Sequence, residues 1–121
     1  MDIDALEGRE LDAAVAEVRG WRVPTDHDCT DPHCDCIDWY HRDIAAAWEL
    51  DEEGWLWEFT EHPHYLWVNL WTTRIAWSVR FSHMRPGEVF STKVYWTYVG
   101  NRAEAYAHAR CILYLKAKAS D

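Results

Sequence analysis

The sequence predicts an α+β domain in which three helices cover an antiparallel sheet of three to four strands, in the order helix, helix, strands, helix. Two patterns support this prediction. Apolar residues recur at helical spacing in three segments, and they alternate with polar residues in the middle of the chain. A chain of 121 residues is one domain's worth, and it buries roughly two-thirds of its unfolded surface. Nine Trp point to an aromatic core or an aromatic surface patch.

The first helix is predicted over residues 2–20. Asp2 or Asp4 can cap its start, and Gly20 suits its C-terminal stop. Apolar residues recur at helical spacing at Leu11, Ala14, Val15 and Val18.

The second helix is predicted over residues 40–54. Gly54 marks its end. One face of this helix is mostly apolar and consists of Ile44, Ala47, Trp48 and Asp51.

Strands are predicted where apolar and polar residues alternate. The four segments are WLWEFTE (55–61), YLWVNLW (65–71), IAWSVRFS (75–82) and VFSTKVYWTYV (89–99). In the last, one face would hold Phe90, Val94, Trp96 and Tyr98. In the second, Leu66, Val68 and Leu70 lie opposite Trp67, Asn69 and Trp71. Both faces of that strand are largely apolar, so either helices cover both sides of the sheet or one side is a binding surface.

The third helix is predicted over residues 101–119. Asn101 and Glu104 resemble a capping box at its start. Lys116 and Lys118 lie near its C-terminal end, where the helix dipole favours cations.

Charge is divided unevenly along the chain, whose net charge is −9. Residues 1–61 hold 18 of the 21 acids and 4 of the 12 bases. The acidic half disfavours nonspecific nucleic-acid binding, because phosphates would be repelled. It is interpreted either as a solvated surface or as a DNA-like surface that binds a basic protein.

A Cys/His/Asp-rich loop at residues 26–38 is the candidate metal site. Its tentative zinc ligands are His27, Cys29, His33, Cys34 and Cys36, with His41 or Cys111 as further donors. Three thiolates and one imidazole would close a structural Zn²⁺ site. Two alternatives stay open: free thiols in an acidic loop without metal, and a disulfide formed after purification. No catalytic constellation is found, because the chain shows no nucleophile motif, phosphate loop or convincing carboxylate pair.

Location is expected to be cytoplasmic. No apolar run reaches the ~18 residues that a membrane span needs. The acidic N-terminus is unlike a signal peptide, which begins with basic residues.

Four segments resemble the phage ABA sandwich domain, a family of small phage and prophage proteins. They are ALEGRELDAAVAEVRGWRV (5–23), YHRDIAAAWEL (40–50), WSVRF (77–81) and EAYAHARCILYLKA (104–117). The resemblance implies a helix/sheet/helix sandwich and brings no activity or catalytic residue. The motif residues, expected to encode the fold, are Leu6, Gly8, Leu11, Ile44, Ala47 and Trp48. The loop at 26–38 departs from the family pattern, so a metal there would be a local elaboration.

The expected function is that of a phage or prophage accessory protein, non-enzymatic, which binds a protein in the cytoplasm of the bacterial host. Host takeover or counter-defence would be its setting. The expected partner is a host or phage protein, a homodimer is left open, and membrane or nucleic-acid partners are not expected. The alternative function is a zinc-stabilised nucleic-acid-binding module that uses the basic, Trp-rich half.

Overall fold

The computed structural model describes residues 2–20, 38–52, 54–72, 89–99 and 101–119. Four helices and three strands are found in these ranges. The helices are α1 (Gly8–Val18), α2 (Ile44–Trp48), α3 (Trp96–Val99) and α4 (Arg102–Ala119), and a 3-10 turn precedes them at Ile3–Ala5. The strands are β1 (Leu56–Glu61), β2 (Tyr65–Trp71) and β3 (Val89–Tyr95). They form an antiparallel sheet in the order β1-β2-β3, so the predicted α+β class is confirmed.

The first helix is shorter than predicted. Leu6 and Glu7 have extended backbone between the 3-10 turn and α1, so α1 begins only at Gly8. Gly8 has a φ of +58°, a left-handed conformation that glycine adopts without strain. Asp2 does cap the 3-10 turn, because its side chain accepts a hydrogen bond from the backbone N–H of Asp4.

The second helix is also shorter than the predicted 40–54. Asp43 caps its start, because Oδ1 accepts from the N–H groups of Ala45 and Ala46 at 3.0 and 3.3 Å. The helix ends at Trp48, where the following carbonyls turn toward α4 instead of continuing the helix. Gly54 has a φ of +89° just before β1.

The strand predicted over 89–99 ends at Tyr95, and Trp96 and Tyr98 lie in the one-turn helix α3. Tyr95 pairs with Tyr65, which is the first residue of β2. The backbone N–H of Trp96 still donates to the carbonyl of His64 at 3.1 Å, and the chain then turns into α3. Trp96 turns onto the β1–β2 connection, and its indole N–H donates to the carbonyl of His62 at 2.7 Å. The segment 75–82, also predicted as a strand, lies outside the described residues.

Helix α4 forms a middle layer. The sheet lies on one side of it, and α1 and α2 lie on the other. One side of α4 packs on the sheet through Ala105, Ala109, Leu113 and Ala117. The other side packs on α1 and on Leu50 through Cys111, Ile112, Tyr114 and Leu115. Small residues on the sheet side allow close approach, and burial on both sides explains why apolar residues surround this helix. No helix in the described parts of the chain is long and apolar enough to cross a membrane.

One face of the sheet packs on α4, and it is the face on which the alternation in β2 groups Leu66, Val68 and Leu70. Leu66, Val68 and Leu70 are fully buried against α4. Trp57 and Phe59 of β1 pair with Leu70 and Val68 and extend this covered face.

Candidate functional site

The predicted metal ligands His27, Cys29, His33, Cys34 and Cys36 lie outside the described residues, so the zinc site stays a prediction. Within the described ranges, no group of three or more His, Cys, Asp or Glu could hold a metal ion. Cys111 is fully buried in α4. Burial raises the pKa of the Cys111 thiol well above its usual range, so this thiol is neutral at pH 7.

Five of the six motif residues have packing or backbone roles. Leu11 and Ala47 are fully buried, and Leu6 packs half-buried against the core formed by α1 and α4. Trp48 is 50% exposed, yet its ring stacks on Phe59 of β1 with centroids 5.7 Å apart. Trp48 therefore seats α2 against the sheet. Ile44 was expected to share this role but is 40% exposed.

Arg110 is a buried cation whose role the sequence did not reveal. Its guanidinium lies between two indole rings, 4.3 Å from the centroid of Trp48 and 4.0 Å from that of Trp57. It donates to the carbonyls of Ala47, Trp48 and Leu50 at 3.0, 3.1 and 2.9 Å. The carbonyls of Trp48 and Leu50 are orphan acceptors at the end of α2, whereas that of Ala47 also accepts from the backbone N–H of Leu50 at 3.0 Å. Arg110 therefore caps α2 and joins it to α4 and β1.

A second buried polar cluster surrounds Asp12, which is fully buried on α1. The carboxylate accepts from the Arg9 guanidinium, from the backbone N–H of His41 and from His41 Nδ1, each at 2.8 Å. Trp39 lies between two guanidinium groups, 3.9 Å from that of Arg9 and 3.8 Å from that of Arg42. In the sequence, Asp12 is the signal for this cluster, because it is an acidic residue on the apolar stripe of α1.

The Asp12–His41 pair has the geometry that orients a histidine base in hydrolases. The same carboxylate, however, also holds a backbone N–H and the Arg9 cation, and this is the pattern of a tertiary anchor. His108 lies close by, and burial, with a smaller contribution from His41, lowers its pKa to about 4. His108 is therefore neutral at pH 7. The cluster fixes the chain before α2 onto α1.

The side of the sheet away from α4 is the candidate interaction surface, here named the open face. By the strand register it comprises Leu56, Glu58, Thr60, Tyr65, Trp67, Asn69, Trp71, Val89, Ser91, Lys93 and Tyr95. Three of its large apolar side chains are strongly exposed: Leu56 by 56%, Val89 by 44% and Tyr95 by 52%. The described helices pack on the opposite face.

A row of hydrogen-bonded polar side chains crosses the open face at its centre. Asn69 Nδ2 donates to Glu58 Oε1 at 3.0 Å, and Ser91 Oγ donates to Asn69 Oδ1 at 2.6 Å. Next to this row, Lys93 Nζ lies 4.6 Å from the ring centroid of Tyr65. Glu58 and Lys93 balance each other, so the open face is nearly neutral although the chain is acidic. Aromatic rings flank a polar centre, an arrangement suited to a protein contact.

Comparison of the chain with protein-family models, with curated proteins and with solved structures gave no match.

Proposed function

We propose that this protein is a small, non-enzymatic phage or prophage accessory protein that binds another protein in the cytoplasm of the bacterial host. Host takeover or counter-defence is the proposed setting, and a host or phage protein is the proposed partner. The observation that carries the proposal is the open face, where exposed aromatic and aliphatic side chains surround a neutral polar centre.

The side chains of the open face favour a protein partner over a nucleic acid. Tyr and Trp are enriched among the residues that contribute most to protein–protein binding. Lys93 is the one cation on this face of the described sheet, and Glu58 offsets it. Nucleic-acid affinity depends on several Lys or Arg contacts to phosphates. A protein surface with matched polar groups is therefore the better fit.

The size of the open face limits the affinity it can support. Three strands about 4.8 Å apart, six or seven residues long, cover a footprint of about 14 by 23 Å. Stable complexes bury about 800 Å² on each partner, more than twice that footprint. We therefore expect either a transient complex or a partner that also contacts the rim of the sheet.

Site-specific photo-crosslinking in the source bacterium tests the proposal. A photoreactive phenylalanine analogue replaces Tyr95 on the open face or, as the matched control, Ile44 on α2; both positions are exposed. We expect a discrete protein adduct from the Tyr95 position, identified by mass spectrometry. The added substitution Leu56→Lys should remove this adduct.

Two results would count against the proposal. An adduct that disappears on nuclease treatment would indicate a nucleic-acid partner and would favour the zinc-stabilised module. Equal adducts from the Tyr95 and Ile44 positions, or none from either, would show that the open face is not the contact surface.

A further inference from the structure

A groove of about 590 Å³ lies between α1 and α4 and shares no residue with the open face. Each helix lines it with residues spaced i, i+3, i+4, which form a stripe along one side of a helix. The two stripes are Ala14, Glu17 and Val18 of α1, and Leu115, Lys118 and Ala119 of α4. Both stripes lie in the last turns of their helices, so the groove lies at the C-terminal ends of α1 and α4.

The groove is apolar inside and open to solvent. Leu115 is 5% exposed and Ala14 is half-buried, so these residues form the floor. Val18 is 44% exposed at the rim, and Ile3 of the 3-10 turn contributes a further apolar side chain. The volume lies within the range of sites that bury a compact ligand, and it accommodates a few apolar side chains.

The α1 side of the groove is negatively charged. Arg19 follows the last turn of α1 as its C-cap, but its guanidinium is ion-paired with Glu49 at 3.6 Å and donates to the Tyr40 hydroxyl at 3.0 Å. Glu17 adds a full charge, and Glu10 lies two turns earlier on the same side of the helix. Lys118 also lines the groove, but it is ion-paired with Glu52. A cationic ligand is therefore favoured along α1.

We infer that this groove binds an amphipathic basic helix of a partner protein. Glu10 and Glu17 are about 10 Å apart along α1, because each residue rises about 1.5 Å. A partner helix lying along α1 would match them with two Lys or Arg residues seven positions apart. Two apolar residues between these cations would enter the groove above Ala14. Helices commonly bind grooves through such spaced anchors.

Selection from a displayed library of random peptides, with the full-length protein as bait, tests this inference. Peptides of about 16 residues are long enough for four helical turns. Enriched peptides are then titrated by fluorescence anisotropy against the wild type and three variants. Ala14→Trp fills the groove, and Glu17→Lys reverses the charge at the rim without altering buried packing. Tyr95→Lys on the open face is the matched control.

The expected result is a set of peptides in which an apolar pair lies between Lys or Arg residues seven positions apart. They should bind Ala14→Trp and Glu17→Lys at least about tenfold more weakly than wild type, and Tyr95→Lys within about twofold. Glu17 is exposed, so Glu17→Lys decides the question if Ala14→Trp does not fold.

Other outcomes would overturn the groove assignment. Peptides whose binding depends on Tyr95 and not on Ala14 would refute the groove while they support the proposed function of the open face. Enriched peptides without paired cations, or a library with no enrichment, would refute a basic helical partner.

Discussion

Replacement of Arg110 by Met tests whether the buried cation stabilises the fold. Met keeps an unbranched apolar stem between the rings of Trp48 and Trp57 but removes every donor. The carbonyls of Trp48 and Leu50 then lose their hydrogen bonds, while that of Ala47 keeps the one from the N–H of Leu50. Burial lowers the pKa of Arg110, yet arginine stays protonated at pH 7, so the substitution removes a full charge.

Two opposing effects determine how much Arg110→Met lowers the free energy of unfolding. Each buried carbonyl left without a partner costs about 1–3 kcal/mol, and each lost cation–π contact about 0.5–2 kcal/mol. Removing a buried guanidinium also removes its desolvation penalty, which is several kcal/mol. We expect a net loss of about 3 kcal/mol in the free energy of unfolding. For 121 residues this corresponds to a fall of about 12 °C in Tm.

Urea and thermal unfolding, followed by circular dichroism, measure this loss. Arg102→Met is the matched control, because the Arg102 side chain is 75% exposed and its ion pair with Glu61 is a surface contact. The control should cost less than about 1 kcal/mol. If Arg110→Met unfolds within about 1 kcal/mol of wild type, or if the control costs as much, the capping role assigned to Arg110 is refuted.

Three further predictions concern single positions. His108 has a pKa of about 4 in the folded chain against an ordinary 6.5, so the unfolded chain binds the proton first as the pH falls. Stability should therefore drop by about 2 kcal/mol between pH 7 and pH 4.5, and urea unfolding of His108→Gln should lack this part of the drop. Asp43→Ala removes the cap of α2 and should cost about 1 kcal/mol in the same assay, whereas Asp43→Ser should retain most of the stability. Gly8→Ala should lower stability by about 1 kcal/mol through its positive φ alone, because no atom lies within 4 Å of an added Cβ; an unchanged Tm would contradict this reasoning.

Features that depend only on neighbouring residues, such as strand alternation and helix caps, were predicted from local patterns in the sequence. The alternation in residues 65–71 correctly placed Leu66, Val68 and Leu70 together on one face, because successive side chains of a strand point to opposite sides. That this face is the buried one followed only from the packing of α4. Asn101 correctly marked the start of α4, since its side chain accepts from the N–H of Glu104 at 2.8 Å. These features depend on neighbours within a few positions.

Element ends were predicted less well because distant residues decide them. β3 stops at Tyr95, opposite the first residue of β2, although apolar alternation continues into Trp96. Trp96 instead donates from its backbone and its indole to the carbonyls of His64 and His62, and the chain turns into α3. α2 stops at Trp48, where Arg110, 62 positions away, takes its carbonyl. Periodicity carries no information about such partners.

The sequence by itself determined the α+β class, the grouping of Leu66, Val68 and Leu70 on one face of the sheet and the concentration of acids in residues 1–61. Only the tertiary structure decided that α4 lies between the sheet and α1, that Asp12 meets His41 across 29 positions, and that α1 and α4 enclose a groove. The physical reason is that secondary structure follows from side-chain spacing along the chain. Clusters and grooves instead require segments far apart in sequence to pack together.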